Sequence, residues 1–137
     1  VCAAAVSDFK PTKKIINKIK KENTEFNQIN LTKNNDILEY ISKSNKYRPR
    51  LVAGFSAETE NLLKNSIIKL KKKHCDIIFA NDVSGKHVGF NSDYNKVSVI
   101  YEKGDIEIIP KNKKSFVANK IAEILLDKLL IDDRNIN

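Results

Sequence analysis

Between two short apolar runs, Leu51–Phe55 and Cys75–Ala80, stands one long amphipathic stretch, Glu58–Lys73. Leu62, Leu63, Ile67 and Leu70 recur at helical spacing, and the stretch ends on lysines that suit a helix C-terminus. Two buried strands joined by a helix pair in parallel, because a tight turn cannot reverse the chain across a helix. A third apolar run, Val1–Val6, is followed by a weaker helical pattern carried by Ile37, Leu38 and Ile41. The order strand, helix, strand, helix, strand predicts an α/β chain with a mainly parallel sheet.

The second half changes pattern. Val97–Tyr101 and Ile106–Ile109 flank Glu102-Lys103-Gly104-Asp105, which predicts a β-hairpin with Gly104 supplying a positive φ. A last helix is expected from about Ser115 to Leu130, with Val117, Ile121, Ile124 and Leu125 facing inward. Ser7–Glu25, with Pro11 near its start, holds so many lysines that it reads as a surface loop, and Phe26–Leu31 as a short strand. Asn34 or Asn35 is the expected cap of the first helix, with Asp36 in its first turn.

Composition narrows the classes of function. The 137 residues are 41% apolar and 31% charged, the balance of a water-soluble globular chain. No apolar run approaches the roughly 20 residues of a membrane helix, and no signal peptide is visible. Cys2 and Cys75 sit in apolar stretches and read as reduced thiols, which points to the cytoplasm. The net charge of +8 suits an anionic partner or a plain solvated surface. No aromatic-basic pattern of RNA recognition occurs, so the expectation is no nucleic acid and no membrane partner. His74 and His87 lie in unrelated contexts and no Cys/His cluster has metal-ligand spacing, so no protein metal site is expected.

In parallel sheets ligands bind at the carboxyl ends of the strands. Those ends carry Ser7-Asp8, Gly54-Phe55-Ser56 and Asn81-Asp82-Val83-Ser84. Asp8 is either a turn former or a ligand contact. Gly54 and Phe55 offer close approach and an aromatic face to a base, or a core residue before a helix cap built from Ser56, Thr59 and the acids of the same stretch. Asn81–Ser84 is an Asx-turn or a polar contact.

Taken in order, "AAAVSDFKP", "KIKK", "KNNDIL", "GFSAETE", "ANDVS" and "GFNSDYN" resemble phosphopantothenoylcysteine synthetase, the C-terminal half of the bacterial bifunctional coenzyme A biosynthesis protein. The resemblance runs from Val1 to at least Asn95. It implies a Rossmann-like three-layer fold with a C-terminal hairpin. It also implies ligation of 4′-phosphopantothenate to cysteine, with CTP activating the carboxylate as an acyl-cytidylate. CTP as cosubstrate, Mg2+ accompanying it, and a homodimer come with the family.

Carried over residue by residue, the resemblance puts Cys2, Ala3 and Ala4 beside the nucleotide. It gives Asp8 to the nucleotide and, with Ala4 and Ala5, to the phosphopantothenate. Lys18 matches the lid lysine that touches the reacting phosphate and is the expected catalytic residue. Asn35, Asp36, Ile37 and Leu38 match the helix start near the nucleotide, and Phe55 matches a base contact. Lys69 and Lys73 match two further nucleotide contacts; four residues apart, they are expected to converge on one anion. Asn81 is an additional candidate.

Two departures stand out. The family has proline where this chain has Asn35. The family's earlier Gly-rich phosphate loop and Ser-Asn-x-Ser-Ser-Gly stretch do not occur in residues 1–137, nor does a flavin decarboxylase domain. The expectation is therefore the C-terminal part of the synthetase domain, inactive alone, from a fragment or split gene whose missing segment a second chain would supply. The rival reading is a remnant that only binds nucleotide or pairs with another chain. A basic nucleic-acid-binding module ranks third.

Overall fold

A computed structural model describes residues 1–18, 28–84 and 92–134. The chain divides into two units, Val1–Ala3 with Leu38–Asn137, and Ala4–Ile37.

The larger unit is built on a four-stranded sheet of order β3-β4-β5-β6, from Ala53–Glu58, Ile77–Asp82, Tyr94–Tyr101 and Ile106–Lys113. Helix α1 spans Ile37–Ser42, α2 spans Leu62–Lys73 and α3 spans Lys114–Arg134. The α/β class holds, and the sheet within it is mixed. β3 and β4 are parallel, as the helix between them requires, with Phe55 opposite Phe79. β4–β5 and β5–β6 are antiparallel. The hairpin forms where predicted: Gly104 has φ 97° and its N–H donates to Tyr101 O at 3.0 Å.

Alternation along each strand sends side chains to two cores. On one face Ala53, Ile77, Phe79, Val97, Val99 and Ile109 pack with Val117, and Phe55, Ile121, Ile124 and Leu125 lie against them. On the other, Val52, Ile78, Ala80 and Ile100 pack with Leu70 and Cys75, joined by Leu38, Ile41, Leu62 and Ile67. The predicted stripe of α3 is correct. In α2 the buried Ser66, not the largely exposed Leu63, completes the inward face.

The N-terminal run corrects the sequence reading. Val1–Val6 is not a buried strand. Cys2 alone makes an isolated parallel bridge to Gly54, its N–H donating to Ala53 O at 2.9 Å. Val1 and Val6 are 67% and 56% exposed, because one bridge leaves the segment without a covered face.

The smaller unit is an antiparallel ribbon, β1 (Phe9–Pro11) on β2 (Leu31–Lys33), where a loop was expected at Ser7–Pro11. Main-chain bonds hold it: Asn34 N–H to Asp8 O at 2.8 Å, and Thr12 N–H to Asn30 O at 2.8 Å. Phe9 and Leu31 are half-exposed or more, so pairing and not burial defines the ribbon. Lys20, Lys21, Phe26, His87 and Gly89 lie outside the described residues.

Other boundaries shift by a few residues. β3 begins at Ala53 and runs through Glu58, so Ser56 and Glu58 belong to the strand and not to a helix cap. The cap of α2 is Asn61, at φ 49° and without a side-chain capping bond. His74 ends α2 in the left-handed conformation, with its N–H directed to Leu70 O and Lys71 O. Asn34 does not cap α1; its Nδ2 donates to Ser7 O at 2.8 Å. Among the described residues no helix is long and apolar enough to cross a membrane.

Candidate functional site

Several polar residues of the larger unit gather at the carboxyl ends of β3 and β4. Ser56 is buried and donates to Glu58 Oε1 at 2.7 Å. Asn65 Nδ2 reaches the other oxygen of Glu58 at 3.3 Å and Glu60 O at 3.0 Å. Asp82 accepts from the N–H and hydroxyl of Ser84 at 3.0 and 2.6 Å, so the Asx-turn reading holds for that residue. These bonds, from the Ser84 side chain first, lower the carboxyl pKa of Asp82. Asn81 differs: its Oδ1 is buried without a hydrogen-bond partner, an acceptor left open at the end of β4.

Two cations of α2 reach different elements. Lys69 Nζ donates to Phe55 O at 2.9 Å. That partner is neutral, and no carboxylate among the described residues pairs with this ammonium. Lys73 is turned to α1, where it meets Glu39 Oε2 at 2.9 Å. The expected convergence of Lys69 and Lys73 on one anion is not what the side chains do: they end on different protein groups. Ser42 Oγ closes the same junction by donating to Lys73 O.

Glu39 also takes Lys43 on Oε1 at 2.7 Å. The bond from Lys43, then that from Lys73, holds its carboxyl down to about 2 from an ordinary 4.5. A depressed carboxyl stabilises the fold above the unfolded pKa, and this is lost as pH falls through the folded value. Glu39 should therefore add nothing to the melting-temperature profile above about pH 4.5 that changes with pH. Its contribution should disappear between about 4.5 and 2. Thermal melts of the chain and of Glu39→Gln should converge toward pH 2. A constant gap across that window would rule this out.

The remaining predicted residues divide between the units. In the larger one, Cys2 bridges Gly54 of β3 and Ala3 follows it. Leu38 is a packing residue: a methyl placed on Gly54 would lie 2.6 Å from Leu38 Cδ2 and 3.2 Å from Ile78 Cδ1. The absent side chain of Gly54 thus makes room for Leu38, which favours the packing alternative over close approach of a ligand at this residue. Phe55 packs on the core, its ring 5.3 Å from that of Phe79. In the smaller unit, Ala4, Ala5, Asp8, Lys18, Asn35, Asp36 and Ile37 are all exposed. Asp36 immediately precedes α1 instead of lying in its first turn.

Sequence reasoning missed Glu39 as a partner of Lys73. Its spacing of four from Lys43 was readable; its pairing across 34 positions was not. It also missed a cleft of about 510 Å3 between Ser42, Lys43, Arg48, His74, Asp76 and Glu102. Asp76 immediately precedes β4, so this cleft lies at the strand end opposite Asn81. Arg48 there is spent on Ser42 O, His74 O and Asp76 Oδ1, and Asp76 Oδ2 on Val52 N–H. It is a structural junction.

A family model described as the DNA/pantothenate metabolism flavoprotein C-terminal domain matches residues 1–129. The chain is 43% identical over 124 residues to the coenzyme A biosynthesis bifunctional protein CoaBC of Borreliella burgdorferi, covering 90% of this chain and 30% of that protein. The Escherichia coli K12 protein of the same name is 35% identical over 136 residues, covering 96% of this chain and 32% of that protein. The crystal structure of the C-terminal domain of a CoaBC protein superposes with a TM-score of 0.66 at 25% identity, covering 95% of this chain and 53% of that one. The chain therefore spans about a third of the curated relatives it matches.

Proposed function

This chain belongs to the DNA/pantothenate metabolism flavoprotein C-terminal domain family, and on that premise we propose that it works in coenzyme A biosynthesis as the nucleotide-binding part of a phosphopantothenate–cysteine ligase. The observation that carries the reading is Lys69, a part-buried ammonium beside β3 whose partner is a neutral carbonyl. A cation without a counter-charge favours a phosphate. Lys73, one helical turn on, can join it only by leaving Glu39.

In the proposed reaction CTP activates the carboxylate of 4′-phosphopantothenate, pyrophosphate leaves, and the cysteine amine attacks the acyl-cytidylate. Lys18, on an exposed segment, would meet charge developing on the reacting phosphate. Asp8, Ala4 and Ala5 would line the phosphopantothenate. Cys2, Ala3, Asn35, Asp36, Ile37 and Leu38 would face the nucleotide through main chain. Phe55 would border the base, and Asn81 Oδ1 would accept a bond from a ligand donor. Among the described residues no three His, Cys, Asp or Glu side chains cluster as a metal site. Mg2+ would then be held largely by phosphate oxygens, as is usual for nucleotide-bound magnesium. A homodimer and a cytoplasmic setting belong to the same proposal.

Phe55→Ala tests it. Because Phe55 is only partly buried, truncation should cost less than the full Phe→Ala range, roughly 2–3 kcal/mol. It should also weaken CTP binding per folded molecule, read by calorimetry with urea melts on the same sample. Lost stability with unchanged affinity would make Phe55 a core residue alone. Failure of the wild-type chain to bind CTP in preference to inorganic triphosphate would overturn the nucleotide reading. A second reading, an inactive module that only binds nucleotide, is favoured if CTP binds while the complete domain shows no pyrophosphate release.

A further inference from the structure

Lys73 presents a problem for any anion that would use it. It is only 14% exposed and its ammonium is already taken by Glu39. Glu39, however, is shared. Its two oxygens bind two lysines, Lys73 at 2.9 Å and Lys43 at 2.7 Å, so the trio carries a net charge of +1. Lys43 is the more exposed of the two, at 44%. If Lys73 departs, Glu39 keeps one cation and is never left bare. The cost of releasing Lys73 is then one ion pair near the surface and not an unpaired carboxylate.

We infer that Glu39 is a positioning residue that holds Lys73 in reserve, with Lys43 as the partner that keeps Glu39 neutralised when Lys73 turns to a bound polyphosphate. This deepens the nucleotide reading and rests on it for the identity of the anion. Glu39 and the polyphosphate compete for one ammonium, so the affinity of the site is set partly by a residue that touches no ligand. Removing Glu39 strengthens anion capture by Lys73. Removing Lys43 weakens it, because Glu39 then has Lys73 as its remaining partner in the trio.

Acetylation of individual lysines with an amine-directed reagent, followed by mass spectrometry, tests this on the full 137-residue chain. Without ligand, Lys73 should acetylate roughly fivefold faster in Glu39→Gln, the factor corresponding to a pair at the strong end of the surface range. Glu39→Asp, which keeps the charge, should restore most of the protection. Lys69, bonded to Phe55 O, should label at an unchanged rate and so report an intact fold. Should Glu39→Gln unfold, which Lys69 would reveal, Glu39→Asp and Lys43→Gln carry the comparison.

Inorganic tripolyphosphate and CTP are then added separately. Half-protection of Lys73 should need less of either anion in Glu39→Gln and more in Lys43→Gln. Glu123→Gln removes the same charge from α3, where Glu123 pairs with Lys120, and should shift neither. Equal Lys73 labelling with and without Glu39 overturns the inference, as does failure of both anions to protect Lys73. A shift in Glu123→Gln as large as that in Glu39→Gln also overturns it, since the effect is then the general field. If CTP protects no better than tripolyphosphate, the nucleoside reading fails while the hold of Glu39 on Lys73 stands.

Discussion

Replacing Phe79 with alanine should cost about 3–5 kcal/mol, the largest loss expected from a single core truncation in this chain. Phe79 has no solvent exposure and sits opposite Phe55 on one side and Val99 on the other. Its backbone is held by strand register on both flanks, so the neighbours can close the space only in part. The loss combines transfer of the ring to water with a cavity that stays open. Domains of this kind hold only about 5–15 kcal/mol in total, so the variant should be near its folding threshold. Urea melts at neutral pH measure it. A loss below about 1 kcal/mol would mean that the sheet repacks and that the Phe55–Phe79 pair is not central to the core.

Lys18→Gln should lower turnover roughly a hundred- to a thousandfold when measured in a chain carrying the complete synthetase domain. Lys18 is exposed, so its folding role is small. It lies ten residues after Asp8, the spacing on which the proposal gives it the reacting phosphate. A cation that meets charge formed only in the transition state is felt in turnover more than in CTP affinity. Lys20→Gln and Lys21→Gln remove the same charge from the same stretch and serve as controls. Equal small effects at all three positions, abolished by salt, would reduce Lys18 to a solvated lysine.

Much of the fold was legible because burial imposes a period. The α3 stripe, the β3–α2–β4 unit and the turn at Gly104 each follow from a local pattern. Val1–Val6 failed for the opposite reason: an apolar run says that a segment would gain from burial, not that a neighbour covers it. β1 was illegible because its ribbon is held by main-chain bonds, which leave no trace in side-chain polarity. The site was readable only as residue types. Lysines four apart on α2 were identified, but their separate partners, Phe55 O and Glu39, depend on contacts 14 and 34 positions away. Gly54 allows either close approach of a ligand or plain core packing, and Leu38 fills the space, since no local signal tells a glycine facing a ligand from one facing a leucine.

The bond from Lys69 to Phe55 O has a consequence for assembly as well as for charge. Ala53 and Phe55 lie two apart on β3, so their carbonyls leave the strand on one side, the side away from β4. Cys2 N–H occupies the first and the Lys69 ammonium the second. Lys69 thus stands in the place that an incoming strand would take, and a lysine there blunts an edge that would otherwise template pairing. On the proposed reading, a phosphate that drew Lys69 away would expose that carbonyl at the same moment. Occupancy by the proposed anion and adhesiveness of the β3 margin would then be tied to one side chain.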